Sequence, residues 1–245
     1  MRLTKSPEVK YRRQLNALVT KITRDINTEI VPLLRELQPE YTNDGYATTL
    51  EAAFERVFSH YKDVDTNARI VANSFVEGSN TANKKRFYSA MESAVGVDLQ
   101  SIVQNEGLDD ILVATTRENV SLIKSIPAEY FKKIEGIVYG GTVQGSKAGS
   151  MISQIMSTNK STFKRAKLIA RDQSSKLNSA ITQQRSQNLG VEEYIWRTAG
   201  DERVRESHRS KNGKVFRWDD PPKDTGHPGQ DIQCRCVAQP IINLE

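Results

Sequence analysis

Prolines and glycines are scarce, eight and fourteen in 245 residues, which excludes a collagenous or linker-dominated chain. Long apolar runs are missing. Ile111-Leu112-Val113-Ala114 is among the longest, far short of the ~18 residues a membrane helix needs. The start, Met1-Arg2-Leu3-Thr4-Lys5-Ser6-Pro7, is charged but lacks the apolar stretch of a secretory signal. The protein is therefore expected to be made and used in a cytosol-like compartment. Common catalytic signatures are missing as well: there is no phosphate-cradling glycine loop before a helix and no Gly-x-Ser-x-Gly. Soft metal-binding residues are few, two cysteines and three histidines. They are not scattered: Cys234, Cys236, His208 and His227 lie together near one end, and only His60 stands elsewhere.

What is present is helical periodicity. From Tyr11 to Leu37 the apolar residues Leu15, Leu18, Val19, Ile22, Ile26, Ile30, Leu33, Leu34 and Leu37 recur at steps of three and four, the pattern of an amphipathic helix. Pro32 is expected to kink or break it and Pro39 to mark its end. A second helix fits 46–61, with Leu50, Ala53, Phe54, Val57, Phe58 and Tyr61 on one side. Further helical patterns fall at 65–77, 81–94, 108–125, 128–140, 147–157 and 160–189. Gly78-Ser79-Asn80, Gly107, Ile126-Pro127 and Gly140-Gly141 read as turns between the earlier ones. His60, beside Phe58 and Tyr61, is read as a packing or surface residue.

Charge is uneven. Residues 160–245 hold 16 basic and 11 acidic side chains, which accounts for the whole net charge of +5. Within 160–189, Lys160, Lys164, Lys167 and Arg171 fall in a narrow stripe beside the apolar face, and Arg185 returns to the same azimuth. The stripe is either a solvated flank or a contact surface for DNA phosphates or an acidic partner.

After Gly190 the character changes. Tyr194 to Thr198 and Lys214 to Trp218 are short and rich in aromatic and β-branched residues, as strands are. Asn212-Gly213 is a tight-turn pair, and Val237 to Ile242 reads as a last strand that Pro240 confines to an edge. The fold class expected is mainly α: a helical N-terminal body followed by a small α+β, turn-rich C-terminal unit. That unit's visible core, Trp196, Val215, Phe216, Trp218, Ile232 and Val237, is thin. So small a unit commonly needs a staple. His208, His227, Cys234 and Cys236 are a candidate ligand set for one structural zinc, two imidazoles and two thiolates in a closed tetrahedron. Arg235 between the cysteines favours thiolates. The other reading is a hydrogen-bonded polar knot without metal, in which the cysteines are small buried residues. No disulfide is expected between Cys234 and Cys236, whose side chains are taken to face opposite ways in an extended segment. A metal-dependent nuclease is disfavoured, because a closed ligand set leaves no position for a reacting water and no histidine as base.

One ordered set of strings is more specific. Lys167-Leu168-Ile169-Ala170-Arg171-Asp172-Gln173 is followed by Tyr194-Ile195-Trp196-Arg197-Thr198-Ala199-Gly200-Asp201-Glu202-Arg203-Val204-Arg205-Glu206-Ser207-His208. Then come Asn212-Gly213-Lys214-Val215-Phe216, Asp219-Asp220-Pro221-Pro222, and His227-Pro228-Gly229-Gln230-Asp231-Ile232-Gln233-Cys234-Arg235-Cys236-Val237. This combination resembles the phage Mu F-like head-morphogenesis family, over roughly residues 130–240. The chain departs from some members in having His208 as the sole soft ligand of its segment, and Lys211-Asn212-Gly213 where a Leu-Asp-Gly turn is frequent.

The periodicity reads residues 1–95 as a helical N-terminal region, and the resemblance implies a Mu F-like head-morphogenesis domain over 96–245. The resemblance further implies a non-enzymatic minor head (minor capsid) protein of the virion, inside the capsid near the portal vertex. Portal protein, other head proteins and packaged double-stranded DNA are the expected partners, with no membrane, and the role is head assembly or productive DNA delivery. Some relatives are fused to toxin domains; only nine residues follow Cys236 here, so none is expected. The alternative is a nucleic-acid-binding module in which a metal knot supports the basic helix.

Overall fold

The computed structural model describes residues 5–36, 46–61, 64–101, 103 and 106–242. The elements in order are α1 (Lys5–Glu36), α2 (Tyr46–Ser59), α3 (Val64–Val95), a 3-10 turn (Leu99–Ser101), α4 (Asp109–Val143) and α5 (Ala148–Asn188). Then follow β1 (Glu193–Arg197), the short α6 (Glu206–Arg209), β2 (Val215–Arg217) and β3 (Val237–Pro240). The mainly α class with a small β-containing C-terminus is therefore observed. Pro39, expected to end the first helix, lies outside the described residues.

The helices are longer than their punctuation implies. Pro32 lies inside α1 and Pro127 inside α4. Each removes one N–H, yet Ile123, Ile126, Tyr130 and Ile134 stay buried along one side of α4 and hold that helix through the gap. Gly78-Ser79-Asn80 is not a turn but the middle of α3, and the patterns at 147–157 and 160–189 are one helix, α5.

The chain divides into two compact units. One comprises 12–71 and 119–169, the other 1–11, 72–118 and 170–245. The first is an apolar helical body. Its core takes Leu15, Val19, Ile22, Ile26, Ile30 and Leu34 from α1, as the periodicity requires, with Leu50, Phe54 and Val57 from α2. Phe131 of α4 packs between Phe58 and Tyr61, with ring centroids 4.3 and 5.2 Å away. Tyr61 donates its hydroxyl to Asp25 Oδ2 at 2.6 Å. His60 is exposed, a surface residue.

The second unit has a more polar interior. Tyr11 stacks on Phe75 at 4.2 Å, and Phe87, Tyr88 and Met91 pack with Leu99, Leu189 and Ile242. Beside them Arg185 is 1% exposed. Its guanidinium grips Glu106 through Nε to Oε1 at 3.1 Å and Nη2 to Oε2 at 2.8 Å. It also donates to Asn83 Oδ1 at 2.5 Å and Asn80 Oδ1 at 2.7 Å. The expected position of Arg185 on an exposed basic stripe is thus corrected. The wheel placed its azimuth without knowing that another surface covers it, and Asn80, read as a turn residue, is one of its acceptors.

The sheet order is β2-β1-β3, all antiparallel. Tyr194 and Trp196 of the central strand point to the covered face, opposite Phe216 and Ala238. Asn212-Gly213 makes the tight turn: Gly213 has φ 81° and donates to Trp196 O at 2.8 Å. Pro240 sits on an edge strand, as its missing N–H demands. The core is Tyr194, Trp196, Trp218, Cys234, Cys236 and Ala238 with Phe216 against it. Val215 and Ile232, expected inside, are 51% and 58% exposed.

Removing one partner of a buried ion pair leaves the other charge uncompensated, which costs about 3–5 kcal/mol. Arg185→Ala should lose stability on that scale in denaturant unfolding. Arg185→Met with Glu106→Leu should recover part of it, because no charge is then stranded. A single variant as stable as wild type would show that Arg185 is not buried in solution.

Candidate metal centre

The second half of α5 is the platform for the C-terminal segment. Asp172 Oδ1 accepts from the Gln233 backbone N–H at 3.0 Å, and Ser175 donates its hydroxyl to the Cys234 carbonyl. Gly229 lies so close to α5 that a Cβ there would come within 2.9 Å of the Ser175 carbonyl oxygen, and its φ is 94°. Only glycine suits both conditions. Gln233, at φ 56°, turns the chain so that Cys234 points inward.

Both cysteines are buried and free, and both face His208. Its Nδ1 lies 3.4 Å from Cys234 Sγ and 3.5 Å from Cys236 Sγ. The expectation that the two side chains diverge is corrected: residues i and i+2 of an extended segment share a face. His208 comes from α6, held edge-on against Trp196 with centroids 5.5 Å apart. Its Nε2 is 3.1 Å from Asp231 Oδ2. A carboxylate only accepts, so Nε2 carries a proton and Nδ1 is the nitrogen that faces the sulfurs. Asp231 is braced by Arg205 Nη1 at 2.6 Å, and Arg205 Nη2 donates to the Ile232 carbonyl at 2.6 Å.

The sulfurs differ. The Cys236 thiol donates to Cys234, and the backbone N–H groups of Cys236 and Gly229 point at the same sulfur, at 3.4 and 3.3 Å. Against the opposing effect of burial these hold the Cys234 thiol down at about 6. Cys236 is pushed up, first by Cys234 and then by burial.

His208, Cys234 and Cys236 offer ligand atoms all within 4.8 Å of one another. His227 is not part of this cluster. Its Nδ1 lies 3.0 Å from Tyr194 Oη and its Nε2 3.4 Å from Gln183 Nε2, with its ring against Trp218 and Tyr194. The closed set of four is therefore replaced by a convergent three. Asp231, which orients the imidazole, was missed from the sequence; its signal was position alone, three residues before Cys234.

A cavity of about 270 Å³ opens beside the cluster, lined by all three residues and by Arg171, Arg203, Arg205 and Arg235. Arg235 is clamped through both Nη atoms by Asp201. Arg171, expected among the partner-contacting residues, is half-buried in this lining. Lys160, Lys164 and Lys167 are exposed on α5.

Residues 132–239 match the family model described as "Phage Mu protein F like protein". This part of the chain is similar to that family. Asp172, His208, His227, Cys234 and Cys236 all lie within the match. An "Uncharacterized protein" of Haemophilus influenzae is 36% identical over 249 residues, covering 99% of this chain. The chain spans 55% of that relative's length. No solved structure matches. Among the described residues no helix is long and apolar enough to cross a membrane.

Burial lowers the His227 pKa below its ordinary 6.5. The folded protein then refuses a proton that the unfolded chain accepts, so this contribution to stability is full above about 6.5 and declines as pH falls. Each pH unit below that should cost up to about 1.4 kcal/mol until the folded imidazole itself titrates. His227→Gln should flatten the pH dependence of denaturant unfolding below about pH 6.5. An unchanged slope would place His227 in solvent.

Proposed function

We propose that this protein is a minor head component of a phage particle, associated with the portal vertex and packaged DNA, and needed for head assembly or productive DNA delivery. The observation that carries the reading is the Mu F-like match over 132–239. The helical body and the exposed Lys160, Lys164 and Lys167 are compatible with a part that bridges protein and DNA. Its role in the head is binding and assembly rather than catalysis.

The test is a phage lacking the gene for this chain. Genome copies should accumulate normally and lysis should keep its timing, while infectious particles fall steeply. The wild-type protein should co-purify with filled heads in fixed proportion to portal. Wild-type titres without the protein would refute the head role. A block in genome replication would move it to the nucleic-acid alternative.

That second reading has one specific support, the three exposed lysines on one stretch of α5. Replacing Lys160, Lys164 and Lys167 together by Gln should leave helicity nearly unchanged, since the two residues have similar propensity. If they touch phosphate, DNA affinity should fall and its salt slope should shrink by up to about three. An identical slope would make the lysines a solvated face only.

A further inference from the structure

We propose that His208, Cys234 and Cys236 hold one zinc-type ion whose fourth position opens onto the arginine-lined cavity, and that this position takes a phosphate-type oxyanion. The inference stands apart from the head role and needs no part of it. Three soft donors within 4.8 Å, all buried, form the set that N/S-preferring ions select. Around them are the outer contacts such a centre uses. A carboxylate fixes the imidazole tautomer. Two backbone N–H groups point at one sulfur, stabilising negative charge where a thiolate would sit. A thiol-nucleophile reading of Cys234, His208 and Asp231 leaves Cys236 without a role and places both sulfurs at 3–4% exposure. The metal reading uses every member.

The ligand class follows from the cavity. All three donors line it, and so do four guanidinium groups, while no carboxylate does. Arg205 and Arg235 are held by Asp231 and Asp201. The guanidinium groups of Arg171 and Arg203 form no ion pair among the described residues. Two lining arginines without an ion-pair contact, beside a bound cation, favour a tetrahedral anion with several acceptor oxygens. A free phosphate and the backbone phosphate of a nucleic acid both offer it.

The full chain, purified without chelator, should carry about one zinc by elemental analysis. Its cobalt-substituted form should show sulfur-to-cobalt charge transfer and tetrahedral ligand-field bands. Cys236→Ser should lose the ion. His227→Gln should keep it, which separates this site from a four-ligand knot that includes His227. Should Cys236→Ser fail to fold, the wild-type stoichiometry and cobalt spectrum still decide. Inorganic phosphate added to the cobalt form should shift the ligand-field bands saturably, and Arg171→Gln with Arg203→Gln should weaken that shift at least tenfold. Short duplex DNA shifting the bands at lower phosphate concentration than inorganic phosphate identifies a nucleic-acid source; a shift with inorganic phosphate alone identifies a free anion. Protein with no bound metal overturns the proposal. So does a cobalt spectrum indifferent to both probes, which would mean a closed centre.

Discussion

The C-terminal unit depends on how its last segment lies on α5. A three-stranded sheet of twelve residues, with strands of five, three and four, cannot bury enough apolar surface to order the irregular stretch between β2 and β3. Buried backbone groups in such a stretch need partners. Asp172 and Ser175 supply two of them, to the Gln233 N–H and the Cys234 carbonyl. The contact at Gly229 removes any space for a side chain. Helix side chains therefore fix the backbone at the point where the first sulfur leaves it. The second sulfur follows two residues later on the same face, and α6 brings His208 to both. A change at Asp172 would act on the cluster from one end of the contact without touching a sulfur.

The same stretch of α5 explains which parts of the molecule the sequence revealed. In α1 Leu15, Val19, Ile22, Ile26, Ile30 and Leu34 are buried, so steps of three and four identified these inward residues correctly. From Asp172 to Ser186, α5 buries Asp172, Gln173, Ser175, Ser179, Thr182, Arg185 and Ser186 beside its apolar residues. A helix covered on more than one side has no solvent face for a wheel to find. Arg185 and Thr182 among them are paired by elements distant in the chain, through Glu106 and Asn83, and no local pattern encodes that pairing. Arg185 was therefore misplaced, whereas Lys160, Lys164 and Lys167 were correctly read as exposed.

Local backbone chemistry was legible where it acts alone. Asn212-Gly213, the three strands and the edge position of Pro240 follow from turn geometry and a missing donor. Glycine and proline misled inside long helices, where packing outweighs one lost hydrogen bond. The Cys/His residues were recognised by type, but their grouping was not. His227 is as close in sequence to the cysteines as a ligand would be, yet Tyr194, Trp218 and Gln183 engage it elsewhere. Asp231, with no soft donor atom, belongs to the centre because a histidine ring has two nitrogens and both need partners.

Two kinds of positive surface result, and they differ physically. Lys160, Lys164 and Lys167 are flexible exposed ammonium groups; a contact through them is paid for in side-chain entropy and is weakened by salt. Arg205 and Arg235 are already fixed by carboxylates at the cavity, and Arg171 is half-buried there. Their ordering cost is met in folding, and under the proposal above an entering anion would meet Arg171 and Arg203 beside these fixed groups, with the bound ion behind them. A polyanion with evenly spaced charges is served by the lysines, with little regard to shape. A single tetrahedral group would be served by the cavity, where geometry selects. The sequence presents both as basic residues, and only the carboxylates that orient the arginines separate a diffuse electrostatic face from a shaped site.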